Sequence, residues 1–221
     1  MKRVFLIFGC AAASFFFVNA AQRHAVRVGE TINVVVNAPG ASDTSSWTCD
    51  PAQSRLRFNA VHMGLSEVEG YFKLVNGKMF YTKPDMSDAK IQFIADVKSL
   101  NSENEMRDKQ LKGEDFFDAD TYPKMIFKST SFTPVPDQKN KYKLAGNLTI
   151  RDATRPVVFD VTYNGTHKDP YGNTKSGYKA TTTINRFDYN LKWNTMAENV
   201  AIVSENVDIT CNIEFKKEEK K

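Results

Sequence analysis

The stretch KYKLAGNLTIRDATRPVVFDVTYNG, Lys141 to Gly165, decides the fold. Tyr142, Leu144, Gly146, Leu148 and Ile150 take every second position, and after a polar break Val157, Phe159, Val161 and Tyr163 repeat the pattern. A period of two turns one face of a strand to an apolar interior and the other to water. The same alternation recurs on both sides: at Leu56, Phe58 and Ala60; at Val68, Phe72 and Leu74; and at Ala89, Ile91, Phe93, Ala95 and Val97. It returns at Tyr178, Ala180, Thr182 and Ile184, and again at Val207, Ile209, Cys211, Ile213 and Phe215. Within LVNGKMFY, Asn76-Gly77 predicts a two-residue hairpin turn, because both turn positions need positive φ. About eight strands joined by short turns predict an all-β protein, an antiparallel barrel or sandwich.

One segment breaks the rhythm. From Ser99 to Phe117 alternation stops, and SENE, Ser102 to Glu105, reads as a capping box that opens a short amphipathic helix reaching Leu111. Met106, Gln110 and Leu111 fall near one face of that helix. It belongs to a dense run of charge, MRDKQLKGEDFFDADTYPKMIFKS, Met106 to Ser129, in which EDFFDADTYP reads as a corner and KMIFKS as the next strand.

The ends are different in kind. Lys2 and Arg3 precede an uncharged apolar run from Val4 to Val18 and the small residues of VNA, the pattern of a signal peptide cleaved after Ala20. A rival lipoprotein reading at Cys10 leaves about six apolar residues before the cysteine, below the usual 7 to 15, so cleavage after Ala20 is preferred. Residues 21–46 read as an arm or linker, 47–215 as one domain, and 216–221 as a charged tail. The expected location is therefore periplasmic or secreted, with no membrane span. Removing two of the 30 bases with the signal leaves 28 against 26 acids, too even a balance to suggest a nucleic-acid partner. In an exported chain the remaining pair, Cys49 and Cys211, suggests a disulfide between the first and last strands.

Catalytic and metal patterns are scarce. His24, His62 and His167 are the only histidines, and they make no metal site of usual spacing. Glu114, Asp115, Asp118 and Asp120 could supply paired carboxylates to a hydrolase, but they sit among Lys109, Lys112 and Lys124 as a solvated face would. The expectation is a protein without catalysis, metal or cofactor.

Four stretches carry a resemblance. WTCDPAQSRLRFNAVHMGLSEVEGYF (47–72), RDKQLKGEDFFDADTYPKMIFKS (107–129), GNLTIRDATRPVVFDVTYNG (146–165) and NRFDYNLKWN (185–194) together resemble the YceI-like family of polyisoprenoid-binding proteins. The resemblance implies a lipocalin-like antiparallel barrel of about eight strands with one or two short helices. It also implies a hollow interior that holds a polyisoprenoid quinone, a polyprenyl pyrophosphate or a similar long-chain lipid. VHMG matches the family's histidine segment at His62, Arg107-Asp108 its RD pair, Phe116-Phe117 its aromatics, and Asn185-Arg186 a late motif. With Phe58, Phe72, Phe93, Phe127, Leu148 and Phe159, the residues His62, Arg107, Asp108, Phe116, Phe117 and Arg186 form the candidate ligand-binding set. The chain departs from the family where Gln53 and Gln110 replace histidines and where Asp152 and Asn190 replace glycines. A homodimer is one option for its assembly. The alternatives are a hydrolase built around Asp115 and a solid-barrel stress or surface protein without ligand.

Overall fold

The computed structural model describes residues 44–194, 196–197 and 200–219. The expected signal peptide, the Cys10 alternative and the arm up to residue 43 lie outside the described residues. The strands are β1 (Ser45–Cys49), β2 (Arg55–His62), β3 (Ser66–Phe72), β4 (Val75–Tyr81), β5 (Lys90–Asp96) and β6 (Leu100–Asn101). After helix α1 (Glu105–Lys112) come β7 (Lys124–Pro134), β8 (Lys141–Ile150), β9 (Ala153–Lys168) and β10 (Thr174–Asn185). The small ladder β11 (Met196–Ala197) with β12 (Val200–Ala201) leads into β13 (Val203–Lys217).

Eight strands close a ring in the order β1-β4-β5-β7-β8-β9-β10-β13, with β13 returning to β1. Every pairing is antiparallel, so the expected lipocalin-like barrel is what the chain forms. Beyond the ring, β13 also pairs with β2, which carries β3 and then β6. β13 opposes Cys49 at Phe215 and Arg55 at Asn212, so β1 and β2 follow one line interrupted by residues 50–54. β3 and β4 break beside it at residues 73–74, and β5 and β6 at residues 97–99. A seam of three adjacent interruptions therefore crosses the wall, stitched by Lys73 N–H donating to Ser99 O at 3.2 Å and Asp96 N–H to Leu74 O at 2.9 Å.

The seam accounts for two departures from the sequence expectation. Asn76-Gly77 is no turn: it lies inside β4, where Gly77 opposes Phe93. Long-range pairing overrides the local turn preference, because a Cβ at Gly77 would lie 2.9 Å from both the Phe93 ring and the Gln92 carbonyl oxygen. The hairpin is one strand earlier, at Met63 and Gly64, with φ of 52° and 69° and Leu65 N–H returning to His62 O. Residues 73–74 shift the alternation by one, so the interior receives Val68 and Phe72 before the seam and Val75 and Met79 after it. Leu74, expected inside, is 61% exposed.

The helix also begins later than the capping box predicts. Asn104 is the N-cap and accepts from Arg107 N–H at 3.0 Å. Ser102 is buried instead, with its N–H and Oγ both donating to Asp108 Oδ1. None of the residues of α1 is buried and Met106 is 83% exposed, so the helix is not amphipathic in the expected sense. The tail is shorter than expected too, since β13 continues through Lys217 and Glu218 N–H donates to Ser46 O at 2.8 Å.

One end of the barrel is plugged by aromatic rings. Met86 enters from the loop after β4 and accepts from the Tyr178 hydroxyl at 3.3 Å. Tyr163 lies 5.3 Å from Tyr178, Phe132 stacks on Tyr142 at 4.5 Å, and Trp47 stacks on Tyr81.

The expected disulfide is absent: Cys49 and Cys211 are buried free thiols. The register gives the reason. Cys49 opposes Phe215, four positions along β13 from Cys211, or about 13 Å at roughly 3.3 Å per residue. A disulfide spans Cα atoms no more than about 6.8 Å apart. Burial pushes the thiol pKa values up to about 11 for Cys49 and about 12 for Cys211, so both stay protonated.

Lys175 ties the seam to its neighbours, with Nζ 2.7 Å from Asp50 Oδ2 and 2.9 Å from Glu214 Oε1. Hydrogen bonding from Lys175 holds the Asp50 carboxyl below its ordinary value, and both carboxylates raise Lys175. Lys175→Met should cost about 1 kcal/mol at neutral pH, as expected for a partly exposed network. A lowered carboxyl stabilises the fold above its unfolded value, about pH 3.9, and that contribution disappears as pH falls through the folded value. Urea unfolding should therefore separate wild type from variant at pH 7 and bring them together towards pH 2. An equal gap at both pH values would dismiss the network as the cause.

Candidate functional site

Inside the ring, inward residues of β4, β5, β7, β8, β9, β10 and β13 enclose an inner chamber of about 100 Å³. Phe93, Phe127, Leu148 and Phe159 are in its wall, as the sequence predicts, with Met79, Ile91, Leu144, Ala180, Ile209, Cys211 and Phe215. Tyr178 brings the hydroxyl group of this wall, and Met86 sulfur engages it. Burial raises the Tyr178 pKa, and with Cys211 also held protonated the chamber is electrically neutral.

A second chamber of about 90 Å³ follows towards the other end, sharing Leu56, Met125, Ile150 and Ile209 with the first. Phe58, Phe72, Phe116 and Phe117 line it. Beyond it a mouth groove of about 490 Å³ shares Phe58, Ala60, Leu111, Phe116 and Val203. His62, Asn104, Arg107 and Gln110 place polar groups along this groove, while Met106, Trp193 and Ile202 supply apolar ones. The three spaces lie in series from the mouth towards the aromatic plug, each sharing apolar residues with the next.

The corner after α1 shapes the middle of that series. Gly113 O accepts from Phe116 N–H and Asp118 N–H, folding the chain back so that both rings point into the barrel. Phe116 packs on Trp193 with ring centres 5.2 Å apart, and Phe117 meets Phe72 edge-on at 5.8 Å. Arg151, at the turn between β8 and β9, pins the corner by donating from Nη1 to Phe116 O at 2.6 Å and to Glu114 O at 3.1 Å. Asp152 and Asn190, the two expected departures from glycine, touch each other, with Asn190 Nδ2 donating to Asp152 Oδ1 at 2.9 Å. Asn190 adopts a φ of 60°, the left-handed conformation for which glycine or asparagine is suited.

Two of the predicted ligand contacts have other work. Asp108 lines none of these spaces, because its carboxylate is spent on Ser102 N–H and Oγ at the start of α1. Arg186 borders the second chamber, but its guanidinium is committed to backbone carbonyls. Nε donates to Ser204 O at 2.9 Å, Nη1 to Trp193 O at 2.8 Å and to Leu191 O, and Nη2 to Val203 O at 3.3 Å. Arg107 is shared: Nε and Nη2 hold Ser102, while the residue also lines the groove.

Trp193, Ile202 and Val203 are functional-site residues that the sequence reading missed. Trp193 and Ile202 lie outside the long strands, and Val203 opens β13 where a register shift interrupts the pairing with β2. Ile209, Cys211 and Phe215 were identifiable, since the alternation that placed Phe159 inside places them there as well; Met79 was not, because the alternation changes phase at residues 73–74.

The acids of the charged run face away from these spaces. Glu114 and Asp115 are exposed, and Asp120 pairs with Lys98 at 2.7 Å. Among the described residues no cluster of three or more His, Cys, Asp or Glu is arranged to hold a metal, and no helix is long and apolar enough to cross a membrane.

Comparison with known proteins agrees with this architecture. A UPF0312 protein of Pseudomonas fluorescens is 36% identical over 135 residues, covering 60% of this chain and 68% of the relative. BcnA of Burkholderia cenocepacia superposes with a TM-score of 0.65 at 25% identity, over 75% of this chain and 98% of that one. A polyisoprenoid binding domain from Saccharophagus degradans, implicated in plant cell wall breakdown, shares the fold with a TM-score of 0.55 at 13% identity, over 78% and 98% of the two chains. The YceI-like domain matches residues 47–215, most of the chain and nearly the whole barrel. The chain therefore belongs to the YceI-like domain family.

Proposed function

We propose that this protein binds a long-chain amphiphile, a polyisoprenoid quinone or polyprenyl pyrophosphate, with its tail in the barrel and its head in the mouth groove. The observation that carries this reading is the series of apolar spaces, in which the inner chamber is neutral and the wider mouth groove holds His62, Asn104, Arg107 and Gln110. Each methylene taken from water contributes about 0.8 kcal/mol, so a long tail binds well with few polar contacts. Both chambers are small beside the roughly 300–1,000 Å³ of a drug-sized site, so a slender chain suits them and a ring system does not. The wider groove takes the head, near His62, Arg107 and Gln110. The shared fold of the Saccharophagus domain, described as polyisoprenoid binding, supports the same ligand class. With the signal-like N-terminus, the protein sequesters or carries this lipid outside the cytoplasm. Organic extraction of the purified protein followed by mass spectrometry should recover a long-chain lipid. Recovery of none, with no uptake of an added apolar probe, would overturn the proposal.

A further inference from the structure

Three inward glycines lie beside phenylalanine rings of adjacent strands. A Cβ at Gly70 would stand 2.2 Å from Cζ of Phe58, one at Gly146 would stand 2.4 Å from Cζ of Phe127, and one at Gly77 would stand 2.9 Å from Cδ2 of Phe93. Each ring occupies the space that its neighbour's side chain would take, and so lies against the wall instead of projecting to the axis.

Gly70 differs from the other two. At Gly146 and Gly77 a backbone carbonyl also crowds the site, that of Lys128 at 2.5 Å and that of Gln92 at 2.9 Å, so the sheet itself demands glycine there. At Gly70 the three nearest atoms all belong to the Phe58 ring, and the backbone is outside the positive-φ region, so alanine fits the strand. Phe58 borders both the second chamber and the mouth groove, as do Leu111 of α1 and Phe116 of the corner. A methyl group at position 70 must push the ring off the wall, and the open side is the passage between those two spaces.

We propose that Gly70 is a specificity-determining residue: by letting Phe58 lie flat it keeps the passage wide enough for a methyl-branched chain. This rests on the binding reading above and concerns only the width of chain admitted. The test measures displacement of cis-parinaric acid by geranylgeraniol, a methyl-branched probe, and by palmityl alcohol, a straight one. Gly70→Ala should weaken geranylgeraniol about tenfold, equivalent to about 1.4 kcal/mol, and palmityl alcohol by less than about threefold. Gly70→Ala/Phe58→Leu should restore the branched probe. Unchanged affinity in Gly70→Ala, equal weakening of both probes, or no recovery in a folded double variant would overturn the proposal while leaving binding intact. If wild type displaces nothing with either probe, the binding reading falls and this one with it. Should Gly70→Ala fail to fold, Phe58→Trp narrows the same passage and must show the same selective loss.

Discussion

Arg186→Ala is expected to destabilise the protein by about 3–4 kcal/mol, a shift in the urea midpoint of about 1.5–2 M for an m-value of about 2 kcal/mol/M. Arg186 is 3% exposed, and burial lowers its pKa, yet no carboxylate lies within ion-pairing distance of it among the described residues. Its compensation is the fan of carbonyls of Leu191, Trp193, Val203 and Ser204, together with the Phe187 ring 4.4 Å from the guanidinium carbon. Truncation leaves those carbonyls without their donor and opens a void, two mechanisms that produce large losses. Arg186→Lys should recover little, because an ammonium lacks the planar fork that reaches several carbonyls together. A midpoint shift equivalent to less than about 1 kcal/mol for Arg186→Ala would show that the segment before β13 is held by something else.

Ala180→Leu should weaken apolar-chain binding about a hundredfold with little loss of stability. Ala180 faces the inner chamber of about 100 Å³, and the three added carbons occupy space that the end of a ligand tail would fill. Excluding three or four methylenes forfeits about 2.5–3 kcal/mol of binding at about 0.8 kcal/mol each. Filling an unoccupied void removes little from the fold, so the thermal midpoint should stay within a few degrees of wild type. Titration with cis-parinaric acid beside thermal unfolding separates the two effects. Wild-type affinity in a folded Ala180→Leu variant would mean that the tail does not reach this chamber.

The barrel was legible because its physics is periodic. A strand with one wet and one dry face records its burial in every second residue, and so Leu144, Leu148, Phe159, Ile209 and Phe215 could be placed inside from the alternation alone. What failed was each point where a distant strand outweighed a local preference. Asn76-Gly77 has the chemistry of a turn, but Gly77 is needed small because Phe93 crosses it. Leu74 keeps phase with Phe72 in the sequence, while the seam beside it changes the phase in space. Ser102 has the chemistry of a cap, but Asp108 and Arg107 claim it. The candidate site divided along the same line. Its strand phenylalanines followed the period of the strands, whereas Arg186 became a backbone clamp through carbonyls of Leu191 and Trp193 and of the start of β13.

The seam has a mechanical consequence. On its plugged side the wall is a closed hoop, in which any widening must break a ladder of hydrogen bonds. On the mouth side, β2, β3 and β6 form an open flap that hangs from β13, and β6 pairs with β3 alone among the described residues. The chain between β6 and β7, which contains α1 and the Phe116-Phe117 corner, covers the resulting slit through side-chain packing and the Arg151 tie. The two ends therefore differ in compliance: the mouth can dilate along that slit while every strand pairing of the hoop stays intact.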